Sequence, residues 1–90
     1  MDEEFSEWAA AAQRRLLRSA YLLTGDLHRA EDLVQEALIK VALRWPRLRD
    51  GNPTAYARTI IVRDNVSWWR RRRDAPSPTL DDLAEVSTDP

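Results

Sequence analysis

Residues 27–46 read LHRAEDLVQEALIKVALRWP, and this stretch decides the fold. Its apolar side chains recur every three or four residues, which is the spacing of one face of an α-helix. Asp26 precedes the stretch as a helix N-cap, and Pro46 predicts that the helix ends at residue 44 or 45. The predicted buried stripe consists of Leu27, Ala30, Val34, Ala37, Leu38, Val41 and Trp45.

Two further helices are predicted, one on each side of this stretch. The first helix ends at Gly25, and its apolar stripe consists of Phe5, Trp8, Ala9, Ala12, Leu16, Ala20 and Leu23. After a connection over residues 46–51, Asn52 caps the third helix, which starts at Pro53 and runs to about Arg72. Apolar residues spread around most of the third helix, so it either lies between two other helices or has a second apolar face.

These patterns predict an all-α fold, a small bundle of three or four helices. The 90-residue chain has no cysteine, one histidine and two glycines. That composition argues against thiolate catalysis, Cys/His metal sites and glycine-rich phosphate loops, so we expect neither an enzyme nor a bound cofactor. The acidic start at residues 1–4 does not resemble a signal peptide, and the cytoplasm is the expected location, with no membrane partner.

The charges of the chain are sorted along the sequence. The net charge is −4 over residues 1–39, +8 over residues 40–73 and −5 over residues 74–90. The +8 segment is rich in arginine and contains Trp45, Tyr56, Trp68 and Trp69, a combination typical of a nucleic-acid contact. A solvated helix end is the alternative interpretation of the same charges.

Residues 75–78 read APSP and start an acidic tail. This composition indicates a linker, although residues 79–86 are compatible with a marginal short helix capped by Thr79 and Asp82. We therefore predict one helical domain over residues 1–74 and an acidic linker over residues 75–90.

The second helix has an outward face as well as a buried stripe. At 100° per residue, five side chains lie opposite the stripe: Asp32, Gln35, Glu36, Ile39 and Leu43. Two aliphatic residues among acidic and amide groups are typical of a protein-binding surface, and a solvated face with two exposed aliphatics is the alternative. An ion pair between Glu36 and Lys40, four residues apart, is also predicted.

The chain resembles region 2 of the extracytoplasmic-function (ECF) sigma factors, in particular the actinobacterial type. Four segments carry the resemblance: YLLTGD at residues 21–26, AEDLVQEALIKV at residues 30–41, Trp45, and the basic, aromatic stretch over residues 56–73. These factors are subunits of bacterial RNA polymerase. The resemblance implies that the outward face of the second helix binds the beta-prime clamp helices of the core enzyme.

The resemblance also implies binding to the non-template strand of the promoter minus-ten element, which the family melts. The base-reading loop would contain Arg47, Arg49, Asp50 and Asn52. Arg58, Arg63 and the helix end would contact the strand and its phosphates, the helix end comprising Trp68, Trp69, Arg70, Arg71, Arg72 and Arg73. The tryptophan pair that primary sigma factors use for melting aligns with Ile60 and Ile61 instead. Region 4 of the family, which follows the linker, is expected to be absent.

Three alternatives stay open at this point. Trp68 and Trp69 either contact DNA or core enzyme, or pack against the tail or the first helix. The chain is either a sigma region 2 or a regulatory module that binds polymerase or an anti-sigma factor without melting a promoter. A third possible function is that of a helical domain that binds DNA without sequence specificity. If the chain is a sigma domain, an anti-sigma factor is a further candidate partner.

Overall fold

The computed structural model describes residues 2–74, which form four α-helices and no β-strand. In chain order these are α1 (Glu3–Thr24), α2 (Leu27–Leu43), α3 (Trp45–Leu48) and α4 (Pro53–Asp74). Helix α2 contacts each of the other three, and α1 also packs against α4. This arrangement confirms the predicted all-α bundle, whereas the linker and short helix predicted over residues 75–90 lie outside the described residues.

The helix ends follow the local sequence. Asp2 accepts hydrogen bonds from the backbone N–H groups of Glu4 and Phe5, and the Asp26 carboxylate accepts one from the third residue of α2. Gly25 closes α1 with a φ of 68°, a left-handed conformation that favours glycine, and its N–H donates to the Tyr21 carbonyl at 2.7 Å. Gly25 therefore ends α1 and Asp26 caps α2, as predicted.

The connection after α2 differs from the prediction. Helix α2 ends at Leu43, and the short helix α3 begins at Trp45 inside the segment predicted to be a plain connection. Pro46 lies in the first turn of α3, where its missing N–H needs no intrahelical partner. Pro46 thus ends α2 and also starts the next helical turn.

The core is lined by small and branched side chains from α1, α2 and α4, and an aromatic cluster closes one end. The rings of Phe5, Trp8 and Trp45 have centroid distances of 5.5–5.9 Å. The Trp8 indole N–H donates to the Thr54 hydroxyl at 3.0 Å and links α1 to α4. Both tryptophans are therefore structural, in agreement with their places on the predicted stripes.

Two residues of the predicted stripes are exposed, and Trp8, Ala9 and Leu38 are partly buried. Leu23 and Leu27 retain 44% and 52% of their accessible surface. They flank the Gly25 turn at the end of the bundle, where fewer neighbouring side chains cover them. Helical periodicity identifies the apolar side of a helix, but it does not show how far along that side the neighbouring helices extend.

Helix α4 has a buried side and an exposed apolar side. Ala57, Ile60 and Ile61 are buried, whereas Val62 and Val66 are exposed. Of the two alternatives for this helix, the structure thus shows a second apolar face. None of the helices described here combines the length and the hydrophobicity needed to cross a bilayer.

Candidate protein-binding and nucleic-acid-binding surfaces

Five side chains on α2 form one surface, which we name the α2 outer face: Asp32, Gln35, Glu36, Ile39 and Leu43. All five are exposed, as the helical spacing predicted. Ile39 and Leu43 retain 51% and 78% of their accessible surface, a high value for aliphatic side chains. Such a surface has an apolar centre and an acidic rim.

An open groove runs beside the α2 outer face, between α1 and α2. It has a volume of about 400 Å³ and a lining that is almost entirely apolar, formed by Phe5, Ala9, Gln35, Leu38, Ile39, Ala42 and Leu43. Gln35, Ile39 and Leu43 belong to both the groove and the outer face, so the two form one continuous surface. A partner helix with apolar side chains would fit this shape.

Lys40 joins α2 to α4 instead of pairing with Glu36. Its ammonium group lies 3.1 and 3.2 Å from the two carboxylate oxygens of Asp64. The predicted Glu36–Lys40 pair is therefore wrong, because a half-buried carboxylate on the neighbouring helix competes better than an exposed one on the same helix. Within residues 2–74, Glu36 has no ion-pair partner and stays on the outer face.

The loop before α4 places its polar side chains in different environments. Arg47 is exposed, while the Arg49 guanidinium lies 3.1 Å from the Glu4 carboxylate on α1. Asp50 is 93% exposed. The Asn52 side-chain oxygen accepts a hydrogen bond from the Ala55 N–H at 3.0 Å and caps α4, so this residue has a structural role whatever else it contacts.

The remaining arginines predicted to contact DNA are all exposed on α4: Arg58, Arg63, Arg70, Arg71, Arg72 and Arg73. None of them forms an ion pair with a described residue. Their positive charge is thus available to an external anion, as expected for a surface that binds phosphates.

Trp68 is half-buried and contacts two arginines. The Arg29 guanidinium stacks on its ring at 3.6 Å, and the Arg72 guanidinium lies 4.9 Å from the ring centroid. Trp69 contacts the edge of Trp68 and is itself 52% exposed. The two neighbouring tryptophans therefore differ, since only Trp69 presents much of its ring to solvent.

Arg29 also bonds the one buried polar residue of the described core. Its Nε and Nη2 atoms donate to the Asn65 side-chain oxygen at 3.3 and 2.9 Å, and Asn65 is only 6% exposed. Burial lowers the pKa of Arg29, with Arg71 and Arg72 adding to this effect while Asp26 and Asp32 oppose it. The guanidinium stays charged, since its pKa is so high.

A second cleft lies where the end of α2 meets the start of α4. It has a volume of about 300 Å³ and is lined by Lys40, Leu43, Arg44, Tyr56, Ile60, Arg63 and Asp64. Arg44 donates a hydrogen bond to the Tyr56 hydroxyl and its guanidinium lies 5.9 Å from the ring centroid. An aromatic ring among cations suits a nucleotide, because the ring stacks with a base and the cations attract its phosphate.

Sequence reasoning missed Arg29, Asn65 and Arg44 as site residues, and it named Tyr56 only as one of the aromatic residues of the +8 segment. One signal was present for Asn65, since it lies four residues after the buried Ile61 on the same side of α4, and a polar residue at such a position needs a partner. The partner itself is 36 residues away, and local spacing does not identify it. Residues 2–74 contain no cluster of three or more acidic, histidine or cysteine side chains suited to a metal ion.

Comparison with known proteins places these surfaces in context. The profile of the family described as sigma-70 region 2 matches residues 8–75. The chain is 37% identical over 87 residues to a protein named RNA polymerase sigma-E factor from Streptomyces avermitilis, a match that covers 96% of this chain and 48% of that protein.

Proteins of the same name from two other species are also similar. The Streptomyces coelicolor protein is 35% identical over 94 residues, covering 96% of this chain and 53% of that protein. The Streptomyces antibioticus protein is 35% identical over 77 residues, covering 84% and 43%. The chain thus spans about half the length of these relatives. No solved structure gives a significant match.

Proposed function

Because the chain belongs to the sigma-70 region 2 family, we propose that it is the region 2 domain of an ECF-type RNA polymerase sigma factor. In this role it binds the core polymerase, and it recognises and melts the minus-ten element of the promoter. The family identification made from the sequence is confirmed by the profile match. The two binding activities are the proposal, and each depends on a separate surface.

The α2 outer face is the proposed contact with the clamp helices of the polymerase beta-prime subunit. The observation that carries this assignment is the exposure of Ile39 and Leu43 beside an apolar groove. Burial of exposed aliphatic side chains at the centre of an interface supplies affinity, and an acidic rim of Asp32 and Glu36 supplies orientation toward a basic partner. The same face would suit an anti-sigma factor that competes with the polymerase.

The loop and α4 form the proposed DNA surface. Exposed arginines on α4 would neutralise phosphates, a contribution that depends on salt and not on sequence. The loop residues Arg47, Asp50 and Asn52, and the cleft around Tyr56, would contact the bases of the non-template strand. Trp69 is better placed than Trp68 to stack on a base, since Trp68 is held by Arg29 and Arg72.

The energetics explain why this domain would act together with the polymerase. Stacking one base on an aromatic side chain contributes roughly 1–3 kcal/mol, and extracting one base from a duplex costs a few kcal/mol. The free energy gained when one cleft binds one base is therefore about equal to the cost of extracting that base from the duplex. We expect the isolated domain to bind single-stranded promoter DNA and to leave duplex DNA closed.

The first test is binding of the purified chain to core RNA polymerase. The variant Glu36→Lys with Ile39→Ala changes the rim and the centre of the α2 outer face. We expect it to weaken binding by at least about tenfold, because truncation of a central apolar contact and reversal of a charge both remove affinity. Its melting temperature should stay near that of the parent, since both side chains are exposed.

A matched control makes the same types of change elsewhere. The variant Glu7→Lys with Leu22→Ala also replaces an exposed glutamate and an exposed aliphatic residue, here on α1. It should bind core polymerase like the parent. Equal loss in both variants, or no binding by the parent chain, would contradict the assignment and favour a free-standing DNA-binding or regulatory module.

A further inference from the structure

The side of α4 that faces away from the core carries an apolar stripe. Val62, Val66 and Trp69 follow the helical spacing of four and three residues and retain 50%, 45% and 52% of their accessible surface. Four exposed arginines border the stripe on the helix surface: Arg58, Arg63, Arg70 and Arg73. We name this surface the α4 outer face.

The α4 outer face thus leaves about half of each of three large apolar side chains on one helix exposed. Isolated exposed apolar residues are ordinary, but a contiguous stripe with a charged border is typical of a docking surface. The stripe is apolar at its centre and basic at its border. A fitting occupant is therefore apolar at its centre and acidic at its border.

The segment directly after α4 has this composition. Residues 79–86 read TLDDLAEV, with apolar residues at 80, 83 and 86 and acidic residues at 81, 82 and 85. This segment contains no basic residue, while the α4 outer face contains no acidic one. The segment and the α4 outer face are therefore complementary in composition, both in apolar residues and in the sign of their charges.

We propose that residues 79–86 dock on the α4 outer face of the same chain and cover Val62, Val66 and Trp69. The inference does not rest on the proposed function, since it follows from the exposed stripe of α4 and the composition of the adjacent segment. Leu80, Leu83 and Val86 would contact the stripe. If the segment is helical, Asp82 flanks these three positions and would face the bordering arginines, while Asp81 and Glu85 would add negative charge close to them.

The length of the connecting chain permits this docking. Val62 lies 12 residues before the end of α4, which is roughly 18 Å along the helix axis. Residues 75–78 alone reach at most roughly 13 Å when extended, and residues 75–86 reach at most roughly 40 Å. The segment can thus turn back after APSP and run antiparallel to α4 over the whole stripe.

Docking would place the acidic segment and a nucleic-acid strand in competition. Arg58, Arg63, Trp69, Arg70 and Arg73 belong both to the α4 outer face and to the residues proposed to contact DNA. An intramolecular acidic segment acts at high effective concentration, so it lowers affinity for every polyanion. The segment would leave when a partner with more charge and stacking surface, such as a promoter strand held by the polymerase, takes its place.

Paramagnetic NMR on the full chain tests the docking without DNA. The sequence has no cysteine, so Ser87→Cys introduces a single position for a nitroxide label. Antiparallel docking would bring residue 87 near Thr59 and Val62. We expect stronger broadening of the Thr59 amide and the Val62 methyl signals than of the Asp74 amide.

Charge neutralisation provides the control. The variant Asp81→Asn, Asp82→Asn, Glu85→Gln should lose the broadening at Val62. The variant Glu3→Gln, Glu7→Gln, Glu31→Gln makes the same change in net charge at exposed positions of α1 and α2 and should keep it. Broadening that is strongest at Asp74 and fades steadily toward Val62, or that survives neutralisation of the segment, would overturn the proposal.

A DNA measurement tests the competition separately. At low salt, the variant with the neutral segment should bind a single-stranded oligonucleotide about three- to tenfold more tightly than the parent. The variant neutralised on α1 and α2 should gain less. Equal gains in both variants would show that net charge alone accounts for the higher DNA affinity, and would overturn the proposed competition. A parent chain that binds no DNA would overturn the proposed function but would leave the NMR result intact.

Discussion

Removal of the Arg29 side chain should destabilise the domain more than removal of any exposed arginine. Arg29 donates two hydrogen bonds to Asn65, at 3.3 and 2.9 Å, and stacks on Trp68 at 3.6 Å. Asn65 is 6% exposed, so water has little access to its amide oxygen once the guanidinium is gone. The change Arg29→Ala therefore leaves a buried acceptor without a partner.

The expected loss follows from these contacts. A buried acceptor without a partner costs about 1–3 kcal/mol, and loss of the stacking contact costs a further 0.5–2 kcal/mol or so. We expect Arg29→Ala to reduce the free energy of unfolding by about 2–4 kcal/mol. In a domain of this size, such a loss should lower the melting temperature by about 10 °C or more.

Urea denaturation followed by far-UV circular dichroism measures this loss. Arg14→Ala is the matched control, because Arg14 is exposed and has no hydrogen bond or ion pair to a described residue. Its effect should stay within about 0.5 kcal/mol. Arg29→Lys should give an intermediate loss, since the ammonium keeps the charge but lacks the planar fork of donors.

A double variant separates the hydrogen bond from general packing. Replacing both partners, as Arg29→Met with Asn65→Leu, removes the unpaired acceptor and should recover a large part of the stability lost in Arg29→Ala. An Arg29→Ala variant within 0.5 kcal/mol of the parent would refute the reasoning. It would mean that solvent or another side chain satisfies Asn65 without Arg29.

Two further predictions concern the proposed DNA surface. Replacing both Arg71 and Arg73 by alanine should weaken binding to every single-stranded sequence alike. In a salt titration, the slope of the logarithm of the observed binding constant against the logarithm of the salt concentration should fall by roughly 1.4, since each arginine contributes one phosphate contact. A loss of binding confined to one sequence would contradict this role. Asn52→Ser should keep the helix cap and the melting temperature while changing base preference in a promoter-binding competition, whereas Asn52→Ala should also cost about 1 kcal/mol of stability. Unchanged preference in Asn52→Ser would remove this residue from the base-reading loop.

The long helices could be predicted from sequence because their determinants are local. Periodic apolar residues, a capping aspartate before α2 and a glycine after α1 each act within a few positions of the helix they define. The α2 outer face was predictable for the same reason, since a helix with a known buried side has a known exposed side. Exposure of Ile39 and Leu43 follows directly from that geometry.

Contacts between helices were not predictable in the same way. Lys40 had an acidic neighbour one turn away on α2, yet its partner is Asp64 on α4. Arg29 and Asn65 are likewise brought together only by packing of α2 against α4. Such pairs depend on the angle and axial offset of two helices, which a single sequence does not specify. The same packing determines which side of Trp68 is covered.

The central position of α2 limits where this domain can change in length. One side of α2 packs on α4 through Lys40 and Arg29, and another carries Ile39 and Leu43. One inserted residue would rotate all later side chains by about 100° and would separate these two sets of contacts. Natural insertions and deletions should therefore be confined to the turns at residues 24–26 and 49–52, with α2 constant in length among relatives that keep both surfaces.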